Sequence, residues 1–413
     1  MKPESSLQTK LALGGLFLLQ LGAPGLWQVS FSNVLMAHGL AAYIPAGFAC
    51  SAVAAFISPL IVGALADDEI SPVLLARWLN WLSGASLALS YLAIQRGWNG
   101  VTMIGLMQLR ALCSSPCVSL ATTIALANLD RPSRQFGLLR LWGTVGWAGA
   151  GWVVSYVLAA DTSPVSGYAA AIVMVALGFY TYLLPQTPAP RVGTGRRSWK
   201  QRLGLDSFGL LKNRDHRIVF VTSVLLTIPL ASFYPYAPLN LTALGYLKPT
   251  ATMAVGQISE ILGLLLLGSI WRRVRLKWIF LAGLLLAAAR YGLFSLDLRG
   301  WIVAGIALHG ACYALFYVTG QIYLAERIEM GMQARAQALM ALMINGVGNL
   351  IGYSATGWWY EACAGAGGRV HWPVFWMGSL GLIIAATVYF AISYQGVGVE
   401  QHRKIAASTE VSV

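Results

Sequence analysis

Gln257 and Glu260 stand three residues apart near the middle of an apolar run, residues 251–270. That run is long enough to cross a bilayer, which takes about 20 residues. On a helix the spacing puts both side chains on one face. A carboxylate at mid-membrane costs roughly 2.5–3.5 kcal/mol on insertion scales, so it faces the protein interior and marks function by default. Asp67, Asp68, Glu69, Asp130, Asp161, Asp297, Glu326, Glu329 and Glu361 instead fall at or near segment ends. An amide beside a carboxyl suits a ligand that both donates and accepts hydrogen bonds. Burial favours the protonated carboxyl and a nearby guanidinium the ionised one, so Glu260 can serve as a proton switch if Arg140 faces it. The competing expectation is a structural pair with Arg290.

Two further groups have the same character. Arg140, Thr144 and Trp147 recur at i, i+4 and i+7 and share a helix face. A permanent cation, a hydroxyl and an indole there can clamp a ligand with polar groups and a flat ring. The bland alternative is a snorkelling Arg with an interfacial Trp. His309, Tyr313, Tyr317 and Gln321 recur every four residues. A polar-aromatic stripe in a membrane helix faces a cavity, because lipid would leave its groups unpaired. The ordinary pKa of His, about 6.5, makes His309 a second candidate proton carrier. Gln20, Gln28, Asn345 and Asn349 are cavity candidates too, with inter-helix hydrogen bonding as the alternative.

These residues need a scaffold of membrane helices. The 413 residues are 57% hydrophobic and 10% charged, with a mean hydropathy of +0.65, whereas soluble domains carry about 25% charged residues. The expectation is an all-α integral membrane protein of about twelve spans, near 11–38, 41–66, 73–95, 99–128, 136–160, 167–185, 217–244, 250–271, 277–296, 301–326, 333–361 and 372–394. The N-terminus lacks the pattern of a removable signal peptide. The net charge of +13 does not indicate nucleic acid binding. Arg96, Lys248, Arg299 and Arg369 occupy one set of loops, Arg110, Arg140 and Arg290 lie within apolar segments, and the other basic residues cluster at the termini and alternate loops. That is the positive-inside pattern, with both termini cytoplasmic.

A basic stretch rich in Pro and Gly, residues 186–216, marks a cytoplasmic linker between two six-helix halves, 1–185 and 217–413. Two such halves are the layout of major facilitator transporters, whose solute sites lie near the midplane between them. Residues 63–67, ending in Asp67, look like the start of that superfamily's loop motif, although Asp68 and Glu69 replace the usual basic residues. Pro229, Pro235 and Pro238 should bend span seven, a candidate gate. Glycines in spans five and eleven read as close packing. The five cysteines, Cys113 and Cys117 included, read as small packing residues. There is no metal-ligand pattern, no enzyme motif and no cofactor signature.

Residues 140–146, 203–213, 257–260 and 309–320 together resemble the bacterial nucleoside:proton symporter family of the major facilitator superfamily, over nearly the whole chain. The resemblance implies import of a nucleoside with protons across the inner membrane by a monomer. It implies substrate binding at Arg140, Thr144, Trp147, Gln257, Glu260, His309 and Tyr313, with proton coupling at Glu260. Three departures stand out. Ala231 and Tyr234 occupy span-seven positions where the family's permease has amide contacts. Ala314 replaces an Asp found in many members. His309 stands where the permease has a Tyr. These departures leave room for another small polar solute, such as a sugar or a modified nucleoside. A non-transporting membrane sensor is the rival from a different class.

Overall fold

The computed structural model describes residues 6–67, 70–130, 132–187, 198–202, 205–271, 273–329, 332–365 and 368–396. Among them the chain is helical, without strands. The helices follow the order α1 (Leu7–Trp27, continued by Phe31–Ala37), α2 (Ile44–Asp67), α3 (Pro72–Gln95), α4 (Gly100–Ser114 and Cys117–Asn128), α5 (Pro132–Trp152) and α6 (Val165–Tyr180). There follow α7 (Arg214–Leu230 and Phe233–Ala243), α8 (Pro249–Met253 and Val255–Ile270), α9 (Leu276–Ser295), α10 (Arg299–Arg327), α11 (Gln333–Ala362) and α12 (Trp372–Ser393). Ten of these stretches are long and apolar enough to cross a membrane. The other two, α3 and α5, have 24 and 21 residues, enough for a span, but are less apolar.

The helix starts are written locally. Ser6, Asn99 and Asn213 accept from backbone N–H groups of the first turns of α1, α4 and α7, satisfying donors that have no intrahelical partner. Pro72 and Pro249 sit in the first turns of α3 and α8, where a missing N–H costs nothing.

Most of the later helices are interrupted at membrane depth. α4 breaks at Ser115–Pro116, α7 at Ala231–Ser232 and α8 at Ala254. π-helical segments occupy Ala314–Val318 of α10 and Leu342–Gly348 of α11. Irregular backbone of this kind is tolerated in a membrane only where protein or a cavity receives the freed polar groups. The three prolines of α7 thus produce the expected bend. Pro229 O, near the break, accepts from the Tyr291 hydroxyl at 3.1 Å.

Packing is closest within the first six helices and within the last six. α1 lies along α5 and α6, α3 along α4 and α6, α9 along α12, and α8 along α10. Glycine enables the tightest of these contacts: a methyl group at Gly146 of α5 would overlap Leu18 O of α1, and one at Gly310 of α10 would overlap the backbone nitrogen of Glu260 on α8. The five cysteines are free and buried. Within the basic 186–216 stretch, residues 188–197 and 203–204 lie outside the described residues, as do Asp68 and Glu69. Trp199–Arg202 and Leu205–Lys212 are short helices, and Asp206 pairs with Arg335 at 2.9 Å.

Candidate substrate cavity between the helices

A cavity of about 370 Å³ lies among α1, α2, α7, α10 and α11, inside the range of roughly 300–1,000 Å³ typical of small-molecule sites. Its walls carry four phenols, Tyr234, Tyr313, Tyr317 and Tyr353, and the amides of Gln28, Gln321, Gln337, Asn345 and Asn349. Aromatic faces suit a flat ring, and amides suit a ligand with mixed donors and acceptors. Tyr313 and Tyr317 lie 5.5 Å apart with rings 38° from parallel, and the Tyr317 hydroxyl pairs with Thr227 at 2.8 Å. Gln20, the other amide expected on α1, instead meets Asn80 of α3 at 3.5 Å as an inter-helix contact.

The polar stripe of α10 is split. Tyr313, Tyr317 and Gln321 line the cavity and His309 does not. Tyr234 stands in front of it, its hydroxyl 3.5 Å from His309 Nε2. The imidazole stacks on Phe233 at 4.5 Å and 28°, and Arg290 lies over the same Phe233 ring at 3.7 Å. Trp147 of α5 also reaches Tyr234, with ring centroids 5.8 Å apart. Tyr234, one of the positions where the chain departs from the family pattern, is thus the wall between the cavity and two of the expected substrate ligands.

Glu260 is half-buried, and Arg140 lies within its electrostatic reach from α5. Tyr313 lies within electrostatic reach of both charges, and Tyr234 within that of Glu260. A pairing of Glu260 with Arg290 is not formed, because Arg290 is turned into the aromatic layer of Phe233, Tyr291 and Phe294. Thr144 and Gln257 are 8% and 7% exposed. Neither side chain is hydrogen-bonded among the described residues, and neither is fully sealed. Neither lines the cavity, nor do Arg140, Trp147 and Glu260. Trp147 and His309 meet at Tyr234, and Arg140, Glu260 and Tyr313 lie within electrostatic reach of one another. No cluster that could hold a metal occurs among the described residues.

The polar contacts between the first six and last six helices gather at one end. Asn33 donates to Pro238 O at 3.4 Å and accepts from Thr242 Oγ1 at 3.2 Å. Asp161, beyond α5, accepts from Ser155 Oγ and from the Thr250 N–H of α8, both at 2.9 Å. Ser155 Oγ in turn accepts from the Ala251 N–H at 3.0 Å, and Lys248 Nζ donates to Ser155 O. Phe48 meets Tyr353 at 5.6 Å. Asn33, Asp161, Thr242 and Lys248 all belong to the helix ends remote from the termini. The cavity runs the other way, past Tyr317 to Gln321 and Gln337.

Asp161 was one of the acids at segment ends that sequence reasoning set aside. No sequence signal marks it, because its partner across the interface is the backbone N–H of Thr250 on a facing helix.

Known proteins place this architecture. YegT of Escherichia coli (strain K12), named as a nucleoside transporter, is 34% identical over 353 residues, 81% of this chain and 80% of that protein. The nucleoside permease NupG of the same organism is 23% identical, with 98% of this chain and 99% of the permease aligned. A crystal structure of the nucleoside transporter NupG superposes with a TM-score of 0.81 at 23% identity, over 94% of this chain and all of that one. That likeness shows the fold, the all-α major facilitator architecture. The profile of the nucleoside H+ symporters matches residues 7–397, nearly the whole of the chain described above, and the chain belongs to that family.

Proposed function

We propose that this protein imports nucleosides together with protons, and that the 370 Å³ cavity is where the nucleoside binds. The observation that carries the proposal is the juxtaposition of this phenol- and amide-walled cavity with the mid-span pair Arg140 and Glu260, both within electrostatic reach of Tyr313 on its wall. Tyr313 and Tyr317 would flank the base. Thr144 and Gln257, outside the cavity lining in the observed state, would bond base or ribose once the helices rearrange. Trp147 and His309 act through Tyr234, holding its ring rather than the ligand.

Glu260 is the proton carrier in this proposal. A carboxyl whose charge is balanced by a guanidinium on a facing helix can exchange that partner for a proton when the helices move apart. Two halves, 1–185 and 217–413, joined by the 186–216 linker, would rock about the cavity in a monomer. Contacts at one end and an accessible cavity toward the other fit a state closed on the far side. With the termini cytoplasmic, as the basic loops favour, that state faces inward across the cytoplasmic membrane.

The test is uptake of labelled uridine and adenosine into proteoliposomes, with and without an inward proton gradient. Gradient-driven accumulation is expected, and Glu260→Gln is expected to abolish accumulation while keeping nucleoside exchange. If neither nucleoside accumulates nor competes, the substrate assignment fails. If Glu260→Gln still accumulates substrate with the gradient, the coupling assignment fails.

A further inference from the structure

A second chamber of about 250 Å³ opens off the main cavity and shares Ser51, Asn345 and Asn349 with it. Its remaining polar walls are Arg110, Ser114 and Ser115, at the break in α4. Arg110 is 6% exposed. Its guanidinium lies over the Trp27 ring at 4.4 Å, and Nη1 donates to Ser114 Oγ at 3.3 Å. Arg110 Nε and Trp27 Nε1 are buried without hydrogen-bond partners.

Among the described residues no carboxylate lines the chamber. The titratable groups within electrostatic reach of Arg110 are Tyr91, Cys50 and Cys113, a phenol and two thiols. A buried cation without an anion costs several kcal/mol, and intramembrane cations that persist usually serve a solute or ion path. A neutral nucleoside supplies no charge to meet it. A doubly charged phosphate would bring one charge more than a single guanidinium balances in a low-dielectric site. A carboxylate matches the guanidinium in charge and in planar geometry.

We propose that the Arg110 chamber is an anion-recognising subsite that takes a carboxylate borne by a nucleoside whose rings occupy the main cavity. This rests on reading that cavity as the nucleoside site. The test uses full-length protein in nanodiscs and displacement of labelled uridine by matched pairs, each a carboxylate and its carboxamide. One pair carries the group on the base, as in orotidine, and the other at the ribose 5′ position. For at least one pair the carboxylate should bind tenfold or more tighter than the amide. That ratio should collapse toward one in Arg110→Gln and persist in part in Arg110→Lys. Ser115→Asp, at an exposed position, provides an independent variant: its carboxylate should occupy the guanidinium and lower the ratio as well. A ratio at or below one for both pairs in the unaltered protein overturns the subsite while leaving the nucleoside site standing. A ratio unmoved by both Arg110→Gln and Ser115→Asp also overturns it. If labelled uridine itself does not bind, both readings fall together.

Discussion

Asp161→Ala should open the far end of the molecule. In the observed state Asp161 is 7% exposed and accepts two hydrogen bonds at 2.9 Å, one from the backbone of Thr250 across the interface and one from Ser155. The second holds Ser155 so that it can accept from Ala251 N. A hydrogen bond to a charged acceptor contributes about 1.5–3 kcal/mol, and a neutral one about 1 kcal/mol. Removing the carboxylate eliminates the first and releases the Ser155 contact, a cost of about 3 kcal/mol to this state. In the opened state the same groups meet water, so the loss is one-sided. At 1.4 kcal/mol per tenfold, the equilibrium moves about 100-fold toward the opened state, enough to bring a 1% population to near parity.

The assay is the distance between spin labels at Val157 and Leu247, which are 74% and 88% exposed at the same end on opposite sides of the contact. The five native cysteines are buried. Asp161→Ala should add a long-distance population that is rare in the unaltered protein, and Asp161→Asn, which keeps an acceptor oxygen, should give less of it. Lys248→Met, which removes the bond to Ser155 O and the cation over the Tyr156 ring but leaves the Asp161 bonds, should also give a smaller change. An unchanged distance distribution in Asp161→Ala would refute the reasoning, since a bond that costs nothing to lose holds nothing shut.

Three other outcomes follow from the packing. Tyr234→Ala should merge the cavity with the space around Trp147 and His309 and let nucleosides with bulky base substituents compete for uridine uptake; Tyr234→Phe keeps the wall and should retain the original selectivity, so identical competition profiles for the two variants would contradict this. Gly310→Ala forces a methyl group into the backbone of Glu260, and at about 3 kcal/mol, the upper end for overpacked sites, it should lower the melting temperature in detergent; an unchanged melting curve would show that α8 and α10 separate freely. Arg290→Met exchanges a fully buried guanidinium with two unpartnered nitrogens for an apolar chain of similar length. Its melting temperature should hold or rise, because the desolvation cost disappears, and a clear fall would mean that the stack on Phe233 outweighs that cost.

Much of the scaffold was legible in the sequence because the bilayer enforces it. Apolar runs of about 20 residues, basic loops and the prolines of α7 each have one physical meaning in lipid. Glu260 stood out because a mid-span acid is expensive. What stayed hidden depends on tertiary placement. Spacing alone puts His309 on the Tyr313 stripe, and it cannot show that Tyr234, from the break in another helix, stands in front of it. Arg110 and Arg290 read alike as cations within apolar segments, yet one lines a chamber and the other lies against an aromatic ring. Asp161 looked like an ordinary loop acid, because its partner across the interface is a backbone N–H group 89 positions along the chain and its other partner a serine hydroxyl, and sequence carries no pattern for them.

The α5–α8 contact joins these observations. At its far end it carries the Asp161 and Ser155 bonds to Thr250 and Ala251, and near mid-span it carries the attraction between Arg140 and Glu260. The two ties act on the same pair of helices, so they add in resisting their separation. A proton on Glu260 removes the mid-span tie and leaves the far-end tie as it was. In the proposed mechanism, protonation therefore biases the helix pair toward opening without being required to break the latch itself, and the strength of that bias is set by how far Arg140 stands from Glu260. Tyr313 lies within electrostatic reach of both charges and also walls the cavity, so in the proposed mechanism a ligand against its ring sits beside the same contact. Proton and solute then act on one contact, which is the physical requirement for either to drive the other.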